Sequence, residues 1–108
     1  MEREILKEMQ TRMIKNFLDV IILAKLRDES ALSGYDAVNF IHKKFGILIS
    51  SGSIYSLLFH MERKGLIKGV WSQRKRIYKL TDKGIRTINS ILKSQEEIQR
   101  FIRILISP

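Results

Sequence analysis

Between Ser50 and Gly65 the chain places Ile54, Leu57, Leu58 and Met61 at i, i+3, i+4 and i+7, with serines crowding one end and no proline. That spacing belongs to a helix with a single apolar face. Ser50 is the expected N-cap. Gly65 followed by Leu66 suits a Schellman stop, in which glycine takes the left-handed conformation and the next apolar residue packs back. A helix of about four turns with one apolar face is not stable alone. It must lie on other elements, and its polar face must meet something else.

The neighbouring segments supply those elements. Residues 2–28 carry Leu6, Met9, Met13, Phe17, Val20 and Ala24 at steps of three and four with no Gly or Pro, predicting a helix that bends or breaks between Thr11 and Asn16. Ser33 with Asp36 three residues on is a variant of the capping box. The helix it opens is expected to turn Tyr35, Val38, Ile41 and Phe45 inward and to stop at Gly46. Residues 47–50 form a short extended connector. Residues 67–72 and 77–81 are rich in β-branched and aromatic types and flank Gln73, Arg74, Lys75 and Arg76, which predicts a two-stranded hairpin with a basic tip. Trp71 and Tyr78 on those strands are expected in the core. Thr81 then caps a final helix from Asp82 to Ile106, about 37 Å long, longer than the core of a small domain can cover.

Charge narrows the partner. The net charge is +9 over 108 residues, and residues 43–86 hold eleven Lys and Arg against only Glu62 and Asp82, while the rest is neutral. A face kept basic only for solubility would scatter its cations; one contiguous basic segment points to a polyanion. The absence of cysteine removes disulfides, thiolate zinc sites and cysteine nucleophiles, and is compatible with a reducing cytoplasm. The charged N-terminus and the short apolar run 17–26, interrupted by Asp19 and Lys25, give no signal peptide or membrane span. Catalysis has no support: His42 and His60 stand alone, no glycine-rich phosphate loop is present, and Glu96 and Glu97 fall on different helix faces. No metal or cofactor site is expected.

Three helices, a basic hairpin and a long final helix make a mainly α chain with the layout of a winged helix-turn-helix: a three-helix core plus a two-stranded wing. In that layout the third helix enters the major groove of double-stranded DNA and the wing touches the flanking backbone. Residues 1–15 would be an N-terminal extension, 16–81 the DNA-binding domain and 82–108 a C-terminal dimerisation helix. Opposite its apolar stripe, helix 50–64 presents Gly52, Ser56, Phe59 and Arg63, flanked by Tyr55 and His60. Ser51, Ser53 and Ser56 suit positioning contacts near the helix N-terminus, although a serine there also caps or turns locally. Tyr55 can donate to a phosphate. His60, Arg63 and Lys64 can reach base edges or backbone, and Phe59 can rest on a thymine methyl or on another protein surface. Arg74, Lys75 and Arg76 are the expected phosphate contacts of the wing.

The blocks LSGYD (32–36), FGILISSGSIYSLL (45–58), MERKGLI (61–67) and RKRIYKLTDKG (74–84) resemble the PadR family of winged-helix transcriptional regulators over residues 16–90. The resemblance implies a homodimeric repressor in which the N- and C-terminal helices pack against a second copy and two recognition helices read a palindrome. It also suggests a small-molecule effector held between the dimer-forming helices, of no assignable chemistry here. Ser51 and Ser56 stand where the family usually shows proline, Phe59 where it often shows His or Arg, and the wing lacks the family's glycines. Residues 1–15 lie outside the match.

A dimer also follows from the residues themselves. The last helix stays apolar to its end, through Phe101, Ile104 and Ile106, which a monomer would leave wet. Phe17, Ile88, Leu92, Ile98, Phe101, Ile102 and Leu105 are the expected contacts, with Gln95 fixing register as a buried polar residue does in coiled coils. The rival to a DNA-binding regulator is a winged helix used only for protein contact, its basic segment docking an acidic partner.

Overall fold

The computed structural model describes all 108 residues. Helices α1 (Glu2–Asn16) and α2 (Leu18–Glu29) are followed by the two-residue strand β1 (Leu32–Ser33), helices α3 (Gly34–Phe45) and α4 (Ser51–Arg63), strands β2 (Ile67–Ser72) and β3 (Lys75–Leu80), and helices α5 (Asp82–Lys93) and α6 (Gln95–Leu105). The sheet is antiparallel in the order β1-β3-β2, which leaves β2 on the edge beside α4. Twelve buried apolar residues form one core. Ile22, Leu23 and Leu26 come from α2, Ala37 and Ile41 from α3, Ile54, Leu58 and Met61 from α4, Leu32, Ile67 and Tyr78 from the sheet, and Ile88 from α5.

The local signals at helix ends are realised in detail. Ser33 Oγ accepts the Asp36 N–H at 3.1 Å while Asp36 Oδ2 accepts the Ser33 N–H at 3.0 Å, a complete reciprocal box. Gly46 ends α3 at φ 69°. At the end of α4, Gly65 adopts φ 77°, its N–H bonds to Glu62 O at 2.9 Å and the Leu66 N–H reaches Met61 O at 3.0 Å. Those two bonds are the Schellman pair. Thr81 Oγ1 accepts the Gly84 N–H at 3.0 Å and opens α5.

Both long helices are broken. The first breaks at Phe17 (φ −117°, ψ 24°), one residue past the expected window, because α2 must turn its Ile22, Leu23 and Leu26 into the core while α1 buries nothing. The last breaks at Ser94 (φ −98°, ψ 11°), whose hydroxyl donates to Ser90 O at 2.9 Å, a back-bond that bends helices. The C-terminal segment is therefore two helices of 12 and 11 residues rather than one. With α1 and α6 projecting, the chain measures 51 × 29 × 21 Å and its radius of gyration is 15.2 Å, against about 13 Å for a compact chain of this length.

Four further expectations are corrected. Tyr35 is 66% exposed: the buried stripe of α3 runs Gly34, Ala37, Ile41, and Tyr35 lies about 100° off it. Trp71 is 72% exposed, because it sits near the free end of the hairpin, beyond the cover of α4; Tyr78 is buried as expected. Ile88 is completely buried in the core of the single chain and is not available to a partner. Strand β3 starts at Lys75, so the turn is only Gln73-Arg74.

Candidate nucleic-acid interface

Helix α4 presents its polar side to solvent along its whole length. Ser50 Oγ accepts the Ser53 N–H at 3.1 Å and lies 2.7 Å from Ser53 Oγ, so Ser53 spends its hydroxyl on the cap. Ser51, Gly52 and Ser56 are exposed, and space beyond Gly52 is open. The first-turn N–H groups of Ser51 and Gly52 have no partner within the helix, which makes this end attractive to an anion. Tyr55, 49% exposed, rests its ring on the backbone of Gly34, where any Cβ would overlap it. That contact ties α4 to the start of α3 and fixes the direction of the Tyr55 hydroxyl.

Farther along α4, Phe59 is 55% exposed, with the His60 ring edge-on at 5.8 Å and the Arg63 guanidinium 5.6 Å from its centroid. His60, Arg63 and Lys64 are all exposed. A groove of about 640 Å³ separates α4 from the hairpin, lined by Tyr55, Phe59, Arg63, Trp71 and Tyr78 together with Glu62 and Arg76.

The hairpin differs from its expected form in ways that bear on charge. Ser72 pairs with Lys75, and the two turn residues adopt positive φ, 48° at Gln73 and 68° at Arg74. This is the two-residue geometry that matches strand twist and that usually takes Asn-Gly. Only Arg74 stands at the tip. Lys75 begins β3 and is exposed, whereas Arg76 lies on the inner face opposite Trp71 and bonds through Nη2 to Glu62 at 2.9 Å. Three cations do not share the turn. On the outer face Lys68 and Lys79 sit directly opposite each other and both are exposed. Like charges at such a rung are destabilising. Both lysines belong to the basic segment, but the register that pairs them is set by the two-residue turn and has no local signal in the sequence.

Two more cations of the basic segment are engaged within the chain. Lys83 Nζ donates to Lys64 O at 2.8 Å, completing the end of α4, and Lys44 Nζ lies 5.5 Å from the Phe40 and Phe45 ring centroids. Glu62 was the residue missed. Its carboxyl accepts the Gly69 N–H at 3.1 Å, and that bond, with Arg76 beside it, holds its pKa below the ordinary value. No group of His, Asp and Glu side chains is arranged to hold a metal ion, and no helix is long and apolar enough to cross a membrane.

Of the expected dimer contacts, Phe17, Ile98, Phe101, Ile102 and Leu105 are exposed at 39–66%. Leu92 is half-buried against the core, and Gln95 is exposed just past the break at Ser94.

A tight helix pair, an exposed third helix and an antiparallel basic hairpin folded beside it define a winged helix-turn-helix protein. The chain belongs to the transcriptional regulator PadR-like family, whose family model matches residues 22–90; these are regulators and not enzymes. A PadR-like transcriptional regulator from Bacillus cereus is similar at 27% identity and a TM-score of 0.73, over 90% of this chain and 98% of that one. A transcriptional regulator from Clostridium thermocellum shares the fold at 24% identity and a TM-score of 0.72, over 89% and 96% of the two chains. Bacillus subtilis PadR, solved in complex with operator DNA, is 28% identical over 69% of this chain and 46% of its own, with a TM-score of 0.60. No curated protein matches the chain in sequence.

Proposed function

We propose that the protein is a homodimeric repressor that binds a palindromic operator, with α4 in the major groove and the β2–β3 wing on the flanking backbone. The observation that carries this reading is that the solvent face of α4 and the inner face of the hairpin line one groove, while the hairpin's free cations, Lys68, Arg74, Lys75 and Lys79, stand exposed on its tip and outer face. Family membership and the operator complex of a 28% identical protein support it.

In this reading Ser51, Ser56 and Tyr55 set the helix against phosphates, while Ser53 serves the cap with Ser50. Phe59 lies on a thymine methyl. His60 and Arg63 reach base edges or backbone, Lys64 the backbone, and Arg74 and Lys75 hold the flanking phosphates. The second copy covers the exposed stripe of α1 (Leu6, Met9, Met13), Phe17 at the break that follows it, and the stripe of α6 (Ile98, Phe101, Ile102, Leu105). Those exposed apolar stripes lie on the two terminal helices rather than on α4.

Selection from a random duplex pool tests the whole reading. The expected outcome is a palindrome with half-sites about one helical turn, roughly 34–36 Å, apart. If Arg63, Lys64, Arg74 and Lys75 of both copies neutralise phosphates, log affinity should fall with log salt at a slope of roughly −7. Recovery of no shared sequence, or affinity indifferent to salt, refutes the proposal.

A further inference from the structure

We infer that Glu62 and Arg76 form a latch that sets the angle between the wing and helix α4, which makes Arg76 a positioning residue for DNA recognition rather than a phosphate contact. The inference rests on the reading that α4 and the wing meet the same duplex.

Glu62 is the only acidic residue of α4, placed one position past the buried Met61 and therefore on the flank that faces the hairpin. Its carboxylate holds both strands at once. Oε2 accepts the Gly69 N–H of β2 at 3.1 Å, and Oε2 and Oε1 accept from Arg76 Nη2 of β3 at 2.9 and 3.2 Å. Because β2 is the edge strand, an N–H turned away from the ladder would otherwise lack a protein partner. One carboxylate thus satisfies the sheet edge and fixes the strand behind it.

The route of Arg76 is built to reach that carboxylate. Its side chain starts opposite Trp71 and crosses β2 at Gly69, where a Cβ would stand 2.6 Å from Nε. The absence of a side chain at Gly69 leaves room for that crossing, and a methyl group there would push the guanidinium off its path to Glu62. The guanidinium lies 5.9 Å from the centroids of Trp71 and Tyr78, so its plane is confined by aromatic rings as well as by hydrogen bonds. A cation so directed points toward α4 and away from the tip. The Gly69 N–H and Arg76 keep Glu62 ionised well below neutral pH, so the pair is intact wherever the protein would bind DNA.

Simple electrostatics and the latch demand opposite results. If Arg76 only attracts phosphates, deleting the acidic Glu62 should tighten DNA binding, and deleting both residues should restore something near the starting affinity, since their charges cancel. If the pair sets the wing angle, Glu62→Ala, Arg76→Ala and the double variant should all weaken binding to the selected operator by similar factors of about ten, the factor one charge-assisted hydrogen bond is worth. Random duplex should be affected less. Fluorescence anisotropy with labelled operator and random duplexes, at fixed salt and well below each variant's unfolding transition, reads these four proteins. The Gly69 amide resonance of the free protein should shift in both variants that lack Glu62. An E62A variant that binds as tightly as the parent, or a double variant that regains parental affinity, overturns the latch while leaving the regulator reading intact. So does a pair whose loss lowers the melting temperature and nothing else. A parent protein that binds no duplex overturns both.

Discussion

Arg74 occupies a left-handed backbone position, φ 68°, that an L side chain resists. The cost for a residue with a Cβ is about 1–2 kcal/mol. Glycine removes that cost but adds freedom to the unfolded chain worth about 0.4–1 kcal/mol, so Arg74→Gly should stabilise the fold by about 0.5–1 kcal/mol. With an unfolding entropy of about 2.1 cal/mol/K per residue over 108 residues, the melting temperature should rise by about 2–4 °C. The same substitution deletes the cation at the wing tip. Binding to operator should weaken, and the salt slope should become shallower by about 0.9 per subunit. Thermal unfolding followed by circular dichroism at fixed protein concentration measures the first effect, and anisotropy across a salt series measures the second. A variant that melts lower than the parent refutes the strained turn. A variant with an unchanged slope refutes the phosphate contact. A gain in one measurement with a loss in the other is the signature of strain retained for binding.

Three other outcomes are expected. Gly84→Ala puts a methyl group against the Leu66 carbonyl, where backbone on both sides must shift, and should cost about 1–3 kcal/mol by chemical denaturation; an unchanged midpoint would show that α5 is not pressed on the end of α4. Asp36 and Glu62 both have depressed pKa values, held down first by backbone N–H groups of Ser33 and Gly69. Their stabilisation is present above the ordinary carboxylate range and disappears as pH falls through the lower folded values. Melting temperature should therefore drop below about pH 4, and less steeply in the D36N/E62Q double variant. Trp71 is the one tryptophan and is 72% exposed beside the groove. Its emission should be that of a water-exposed indole and should change on adding operator duplex; indifference to duplex would place the DNA elsewhere.

What could be read from the sequence is what short-range chemistry decides. The Ser33–Asp36 box, the Ser50 cap, the Gly65–Leu66 stop and the Thr81 cap each depend on residues within a few positions of one another, and each forms as expected. The core stripe of α4 was legible for the same reason, its period being a property of the helix alone. Features that depend on what packs where were not. The break at Ser94, unlike the one at Phe17 that falls within a residue of its expected window, follows from the limited size of the core that α5 covers. Ile88 looks like part of one continuous stripe with Ile98 and Ile102 until Ser94 divides it. Strand β1 has only two residues, Leu32 and Ser33, too few to show an alternation, and exists because β3 lies beside it. Lys75 and Arg76 looked equivalent to Arg74 within a basic run, and only the two-residue turn separates tip from strand and brings Arg76 to Glu62, 14 positions away. As for the interface, the helix could be identified in advance, whereas the division of its surrounding cations into free and engaged ones required the register.

The Lys68–Lys79 rung has a consequence for how the protein answers its ionic surroundings. In dilute buffer the two ammonium groups push the strands apart, and small ions relieve that push. Those same ions compete with the protein for the phosphate chain. A rise in electrolyte concentration should therefore firm the unbound hairpin while loosening its hold on the duplex, so that the best-ordered free wing and the tightest complex belong to opposite ends of the salt scale.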